Sequence, residues 1–344
     1  MLRRTALVLA VAMLLAGCGG DDDAEPVAEP PTTTTTTTPA DIAPVPSAGC
    51  GTSTVGALAR ERRTMVVGAE ERWYLLSTPP AHDGATPLPL VVELHGLAEG
   101  AGIAAEMSQL DTVATREGFV AAYPNGSGEP VRWNQHLDAD PNTDFDFIAQ
   151  LLDTLGDDLC IDLARVYATG LSYGAIMSSS LACVMADRIA AIAPVAGVEH
   201  PDACEPGRPV PVLAMHGTAD PILFFNGGVG DLGAALSGGE LALPDTPIDL
   251  DGAGYPASMA AWAEANGCGT ATDERRSAHV IERSWDCEAN AEVRFLIIED
   301  GGHSWPGSAF SKAIEGVVGP TTDELDATEE IWSFFQRHAL PLDA

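Results

Sequence analysis

Residues 165–184, RVYATGLSYGAIMSSSLACV, put a short β-rich run directly before a helical one, with a serine at the change of direction. Val166 to Thr169 are strand formers, and from Ala175 small and apolar residues recur at helical spacing through Met185. Gly170 and Gly174 flank Ser172 at minus two and plus two. So abrupt a turn needs both glycines, because a side chain at either position would meet the strand or the helix. The pattern predicts Ser172 held out at the end of a strand, and it demands a fold in which strands feed helices.

The rest of the chain obeys that demand. PLPLVVELHG is a nearly continuous apolar run, the pattern of a strand buried on both faces of a parallel sheet. Two earlier runs, 64–67 and 72–77, read as an opening hairpin. Helical spacing over 103–116, the strand FVAAYP and helical spacing over 145–155 lead to the strand before Ser172. Beyond the serine helix come IAAIAPVAG, VPVLAMHG and VRFLIIEDGGH, with a helix over 255–264 between the last two. A closing helix, DELDATEEIWSFFQRHA, has Asp323 toward its amino end and Arg337 and His338 toward its carboxyl end, as the helix dipole favours. The expected fold class is α/β: a mostly parallel, doubly wound sheet with flanking helices and chemistry at the carboxyl ends of strands.

A serine hydroxyl is a poor nucleophile until an imidazole takes its proton, and the imidazole needs a carboxylate to fix its tautomer. Both partners should therefore also follow strands. Asp220 ends VPVLAMHGTAD and His303 ends VRFLIIEDGGH. The chain order Ser172, Asp220, His303 is that of the α/β-hydrolases. Asp245 and Asp249 are rival acids in a Gly- and Pro-rich insertion, 226–254, which reads either as a wall over the cleft or as a solvated loop. His216 reads as structural, since its strand also supplies the acid.

Acyl transfer further needs donors for the negative oxygen of a tetrahedral intermediate. The N–H of Tyr173, after the serine, is one candidate; the N–H of Leu97, where Gly96 lets the backbone turn inward, is the other. His95 reads as a brace for that loop. Trp133 and Trp305 are candidates to floor an acyl pocket or face a sugar or aromatic ring, with core packing as the alternative.

The amino terminus reads as targeting sequence. Arg3 and Arg4 precede an apolar run too short to span a bilayer, and LAGC then looks like a bacterial lipobox whose cleavage leaves Cys18 as a lipidated end. Residues 1–18 are thus expected to be a lipoprotein signal peptide. Residues 19–48, rich in Thr, Pro and Asp, are expected to be a disordered tether, and 49–344 a catalytic domain. Fifty acidic against seventeen basic residues give a formal charge of −33, with Lys312 as the single lysine. Such a surface excludes nucleic acid and anionic lipid as partners, leaving the lipid as the expected membrane attachment.

Seven cysteines less Cys18 leave six: Cys50, Cys160, Cys183, Cys204, Cys268 and Cys287. An even count in an exported chain favours disulfides, in any of fifteen pairings. With no C-x-x-C or H-E-x-x-H, neither zinc nor another metal is expected, and no cofactor is needed by a serine–histidine–aspartate mechanism.

VVELHG, RVYATGLSYGAIMSSSLACVMADRIAAIAPVAG, VLAMHGTADPILFFNGG, WAEANGC and GGHSWPG together resemble the polyhydroxybutyrate depolymerase and feruloyl esterase group, which includes LpqC-type lipoproteins and carbohydrate esterase family one. The resemblance covers about residues 50–337. It implies an α/β-hydrolase fold, Ser172 as nucleophile, Asp220 as acid and His303 as base. It also implies the pairs Cys50–Cys160, Cys183–Cys204 and Cys268–Cys287. The chain departs from many relatives in having Ala175 after Gly174, and Leu97 where depolymerases often carry cysteine. The reading is an exported, lipid-anchored serine esterase acting on hydroxyalkanoate oligomers or on feruloyl or acetyl esters of polysaccharide. A serine peptidase of the same fold, or a surface binding lipoprotein without turnover, are the alternatives.

Overall fold

Ten strands among the described residues pair into one sheet: β1 (Leu58–Val67), β2 (Glu70–Thr78), β3 (Leu88–Leu94), β4 (Val120–Pro124), β5 (Ile161–Leu171), β6 (Ala191–Val195), β7 (Val212–Gly217), β8 (Ala271–Arg275), β9 (Val280–Trp285) and β10 (Val293–Ile298). Their spatial order is β1-β2-β4-β3-β5-β6-β7-β10-β9-β8. The middle, from β4 through β10, is parallel, and β1, β2, β8 and β9 extend it by antiparallel pairing at the two edges. This is a computed structural model, and it describes residues 42–237 and 247–341.

The continuous apolar run in β3 is explained by two cores. Leu90, Val92 and Leu94 point into one and Val91 into the other, the period of two expected for a strand covered on both faces. The first core is closed by α3 (Thr143–Asp158), α4 (Tyr173–Val184) and α6 (Tyr255–Ala265), and the second by α1 (Ala101–Ser108), α2 (Leu110–Glu117) and α9 (Ala327–Phe335). Three shorter helices, α5 (Asp231–Ser237), α7 (Ala309–Ala313) and α8 (Glu315–Val318), lie in the loops after β7 and β10. The α/β expectation is met, although the helical spacing over 103–116 resolves into two helices, α1 and α2, broken at Gln109, which stands at φ 51°.

Differences lie at the edges. β8, ATDER, is exposed at every position, so no hydrophobic alternation marks it as a strand. The closing helix begins only at Ala327, because the Asp326 carboxylate caps it by accepting from the N–H groups of Thr328 and Glu329. Asp323, outside it, pairs instead with Lys312. Residues 42–48, assigned to the tether by composition, lie against β5. Val45 donates its N–H to Asp162 at 2.8 Å, and the Ser47 hydroxyl accepts from the Ile161 N–H at 3.0 Å. Residues 1–41, with Cys18, lie outside the described part. No helix among the described residues is long and apolar enough to cross a membrane.

The three cysteine pairs implied by resemblance are all formed: Cys50–Cys160, Cys183–Cys204 and Cys268–Cys287. Loops of 110, 21 and 19 residues are closed by them, which constrains the unfolded chain by roughly 3–5 kcal/mol per bridge in the chain-entropy account.

One acid in β3, Glu93, is buried with no ion pair among the described residues. Burial pushes the Glu93 carboxyl up to about 8, against the opposing effect of a 2.6 Å hydrogen bond from the Ser108 hydroxyl. An unfolded chain releases this proton near 4.3. Between these two values the folded chain binds more protons than the unfolded one, so stability falls as pH rises through that window. Glu93→Gln is expected to add on the order of 2–4 kcal/mol at pH 8 and little at pH 5. Urea unfolding of both proteins at the two pH values checks it; an equal gain at both would show that the carboxyl is already ionised in the fold.

Candidate active site

β5 runs into Ser172, whose backbone stands at φ 58°, ψ −120°, and α4 begins with the next residue. A positive φ costs an L-residue about 1–2 kcal/mol, and local bonds hold it in place. The Ser172 N–H donates to Val195 O at 2.9 Å, and its carbonyl accepts from Ile176 N at 3.0 Å. A Cβ on Gly170 or Gly174 would collide with the Leu94 carbonyl oxygen. The two glycines therefore let β5 and α4 crowd against β3.

Asp220 and His303 arrive from the carboxyl ends of β7 and β10, which are neighbours in the sheet. His303 Nδ1 lies 2.7 Å from Asp220 Oδ2. Asp220 Oδ1 accepts from the N–H groups of Ile222 and Leu223, both at 2.8 Å. Burial alone would raise the Asp220 carboxyl, but His303 and His216 beside it hold it well below the usual carboxylate range. Burial disfavours charge on His303, and the Asp220 carboxylate, with a smaller contribution from Glu99, outweighs it and raises the imidazole above its ordinary value. The loops that carry the pair are joined by Ala219 N donating to Gly301 O at 2.9 Å, and the His303 loop is closed on itself by Gly302 N donating to Pro320 O at 2.7 Å.

Ser172 and His303 face one cavity of about 400 Å³. Leu97 and Tyr173 line it too, and the backbone N–H of neither is taken by another group among the described residues. Its lining is mostly aliphatic, with Ile222, Leu223, Val229 and Leu232 from the segment after β7 and Ile314 and Val317 from the α7–α8 region. Of these Leu232 and Val317 are exposed, 39% and 56% accessible. Glu99, Gln135 and Glu199 add polar groups to the lining. Glu99 reaches back to accept from the Gly96 N–H at 2.8 Å, and burial raises its carboxyl above the usual range.

His95 does brace the loop. Its Nε2 accepts from Gly126 N at 2.9 Å, so the proton sits on Nδ1 and is donated to Gly96 O at 2.7 Å. Burial lowers this imidazole to about 4, so it stays neutral. Trp133 and Trp305 are corrections to the sequence reading, because neither is among the residues lining the cavity at Ser172. Trp133 is buried with its indole N–H on His95 O at 2.9 Å and its ring 4.8 Å from the His95 ring. Trp305 is buried with its N–H on Thr328 Oγ1 at 3.0 Å. The Trp133 indole joins two loops and the Trp305 indole ties its loop to α9, because a buried N–H needs a fixed acceptor.

Of the rival acids, Asp249 makes no bond to His303 among the described residues, and the carboxylate partner of His303 is Asp220. The Asp249 backbone is bonded to the Asn226 side chain, with Asp249 N on Asn226 Oδ1 at 2.8 Å and Asn226 Nδ2 on Asp249 O at 2.6 Å. Asp245 lies outside the described residues. The described part of the 226–254 insertion does wall the cleft, through Val229 and Leu232. Sequence reasoning missed the three polar lining residues Glu99, Gln135 and Glu199, which carry no motif of their own. Among the described residues no three His, Cys, Asp or Glu side chains are grouped so that they could hold a metal ion.

The sheet order, with the serine turn after its central strand and the acid and imidazole after two later ones, defines an α/β-hydrolase. Residues 73–234 match the family described as Esterase PHB depolymerase. The putative esterase NocK of Nocardia uniformis subsp. tsuyamanensis is 31% identical over 296 residues, covering 79% of this chain and 81% of that one. On these matches the chain belongs to the polyhydroxybutyrate depolymerase and feruloyl esterase group of the α/β-hydrolase superfamily. Feruloyl esterase B of Piromyces equi is 27% identical over 240 residues, covering 68% of this chain and 42% of its own length. Among solved structures, the acetyl xylan esterase from Aspergillus awamori superposes with a TM-score of 0.48 at 13% identity, over 71% of this chain and 94% of that one.

Proposed function

We propose that this chain is an exported, lipid-anchored serine esterase in which Ser172 is the nucleophile, His303 the general base and Asp220 the acid that orients it. The observation that carries the reading is the 2.7 Å contact between His303 Nδ1 and Asp220 Oδ2, on the same cavity into which Ser172 is turned at φ 58°. With Nδ1–H donated to Asp220, Nε2 of His303 is free to take a proton. Among the described residues the side-chain hydrogen bond of His303 is the one to Asp220, and the bond from a catalytic hydroxyl to its base commonly tightens only when substrate binds.

In the reaction so assigned, Ser172 Oγ attacks the ester carbonyl as its proton passes to His303 Nε2. The oxyanion is held by the N–H groups of Leu97 and Tyr173, the latter at the amino end of α4, where the helix dipole also favours negative charge. Collapse breaks the ester C–O bond, and His303 returns the proton to the leaving alcohol. Water, deprotonated by His303, then attacks the acyl-enzyme and releases the acid and Ser172.

The aliphatic lining suits the acyl part of a hydroxyalkanoate oligomer or a feruloyl group, and the names of the relatives point to the same esters. Three disulfides fit an oxidising compartment, and Cys18 is the lipid attachment in this reading. Comparing wild type and Ser172→Ala on p-nitrophenyl acetate, p-nitrophenyl butyrate, methyl ferulate and hydroxybutyrate oligomers tests it. Hydrolysis by the wild type alone is expected; equal rates for both proteins would end the proposal.

Glu99 supplies a pH test. The base must be unprotonated, so kcat/KM falls on the acid side of a midpoint set above the ordinary histidine value of about 6.5. Glu99 is one of the charges that raise it. Glu99→Gln should therefore move the acid limb of the kcat/KM profile to lower pH. A limb that stays in place, or moves to higher pH, would show that Glu99 carries no charge felt by His303.

A further inference from the structure

Asp220 is gripped from two sides, and only one of them belongs to the reaction described above. Its Oδ2 lies 2.7 Å from His303 Nδ1 and 3.2 Å from Nε2 of His216. The same His216 Nε2 is 3.0 Å from the Leu223 carbonyl oxygen. Both neighbours are acceptors, so the ring's proton sits on Nε2, where it is donated to Leu223 O with the Asp220 carboxylate beside it, while Nδ1 is buried with no hydrogen-bond partner among the described residues. The His216 side chain is wholly enclosed and stacks on Tyr255, with ring centroids 3.7 Å apart at 23°. It has nowhere to swing. Leaving one ring nitrogen buried and unpaired is a local penalty, of the kind that collects at functional sites.

We propose that His216 is a positioning residue for ester hydrolysis. Its single N–H stops the Asp220 carboxylate from rotating away from His303, and it ties the acid to the 220–223 turn. That turn closes on itself: Leu223 N–H donates to Asp220 Oδ1, and Leu223 O accepts from His216. Its Ile222 and Leu223 side chains line the cavity. The proton acceptor and the substrate wall are thus set by one imidazole that touches neither substrate nor Ser172. This inference rests on the roles proposed for Ser172, Asp220 and His303.

Two substitutions separate positioning from packing. His216→Phe keeps a ring against Tyr255 and removes the donor; His216→Gln gives up the ring but places an amide N–H near the Nε2 position. With p-nitrophenyl butyrate, His216→Phe is expected to lower kcat about 10–100-fold, the range seen when outer partners of a working side chain are removed, with KM changed less than about threefold. His216→Gln is expected to recover most of kcat even where thermal unfolding shows it to be the less stable protein. Should the Phe variant not fold, His216→Met, which also lacks the N–H, takes its place. Equal kcat losses in the Gln and Phe variants, a Phe variant with wild-type kcat, or losses that follow melting temperature and not the N–H would each overturn the inference. Ser172→Ala is run beside them: if it stays active, the underlying reading fails; if it is inactive and His216→Phe is unaffected, only the role of His216 fails.

Discussion

Ser172→Ala is expected to lower kcat about 10⁴–10⁶-fold while leaving the melting temperature within about 2 °C of wild type. The substitution deletes one oxygen. It keeps the backbone bonds to Val195 and Ile176 and the φ of 58°, so the fold loses little and the chemistry loses its nucleophile. Binding and the oxyanion donors would leave a residual rate above that in water. Ser172→Gly sharpens the result, because glycine adopts a positive φ without steric cost. It should be as inactive as the alanine variant yet no less stable, with a gain on the order of 1 kcal/mol where relief of strain exceeds the added entropy of the unfolded chain. More than about 1% residual kcat in either variant would be far above the loss expected for a nucleophile and would place the nucleophile elsewhere.

Asp220→Asn should be nearly as damaging, about 10⁴-fold in kcat, for a reason legible in its hydrogen bonds. Oδ1 accepts two backbone N–H groups and Oδ2 faces two imidazoles. In the asparagine variant the carbonyl oxygen is retained by the two backbone donors, which turns the NH₂ group toward His303 and His216. Donor would then face donor. His303 escapes by moving its proton to Nε2, the nitrogen that must receive the serine proton, and the base is lost without any change of shape. The same conflict should cost about 1–3 kcal/mol of stability. Steady-state kinetics and urea unfolding of the variant check both parts; a kcat within tenfold of wild type would show that Asp220 does not orient His303.

The parts of the site that could be read ahead were those written in neighbouring residues. Gly170, Ser172 and Gly174 sit within five positions, and the need for two residues without Cβ at a strand-to-helix turn is local. Asp220 and His303 could be placed because the carboxyl ends of buried strands are recognisable, and their strands, β7 and β10, lie side by side in the sheet although β8 and β9 separate them in the chain. Trp133 and Trp305 were misjudged because the fate of an indole depends on acceptors far along the chain, His95 O and Thr328 Oγ1. The polar lining residues Glu99, Gln135 and Glu199 escaped for the same reason. Each follows a different strand, and only the assembled sheet brings them to one cavity. His216 was read as structural; its distance to Asp220 Oδ2 gives it a further role that no spacing rule announces. At the edges, β8 lacked any apolar alternation, and its strand character comes from pairing with β9.

The most direct test of the account is to treat the folded protein with a fluorophosphonate and map the adduct by peptide mass spectrometry, in wild type and in His303→Ala. A stoichiometric adduct on the oxygen of Ser172, formed at least about a hundredfold more slowly in His303→Ala, is the predicted result. An unlabelled Ser172 in the wild type, or labelling at the same rate in both proteins, would contradict the claim that this serine is activated by this imidazole.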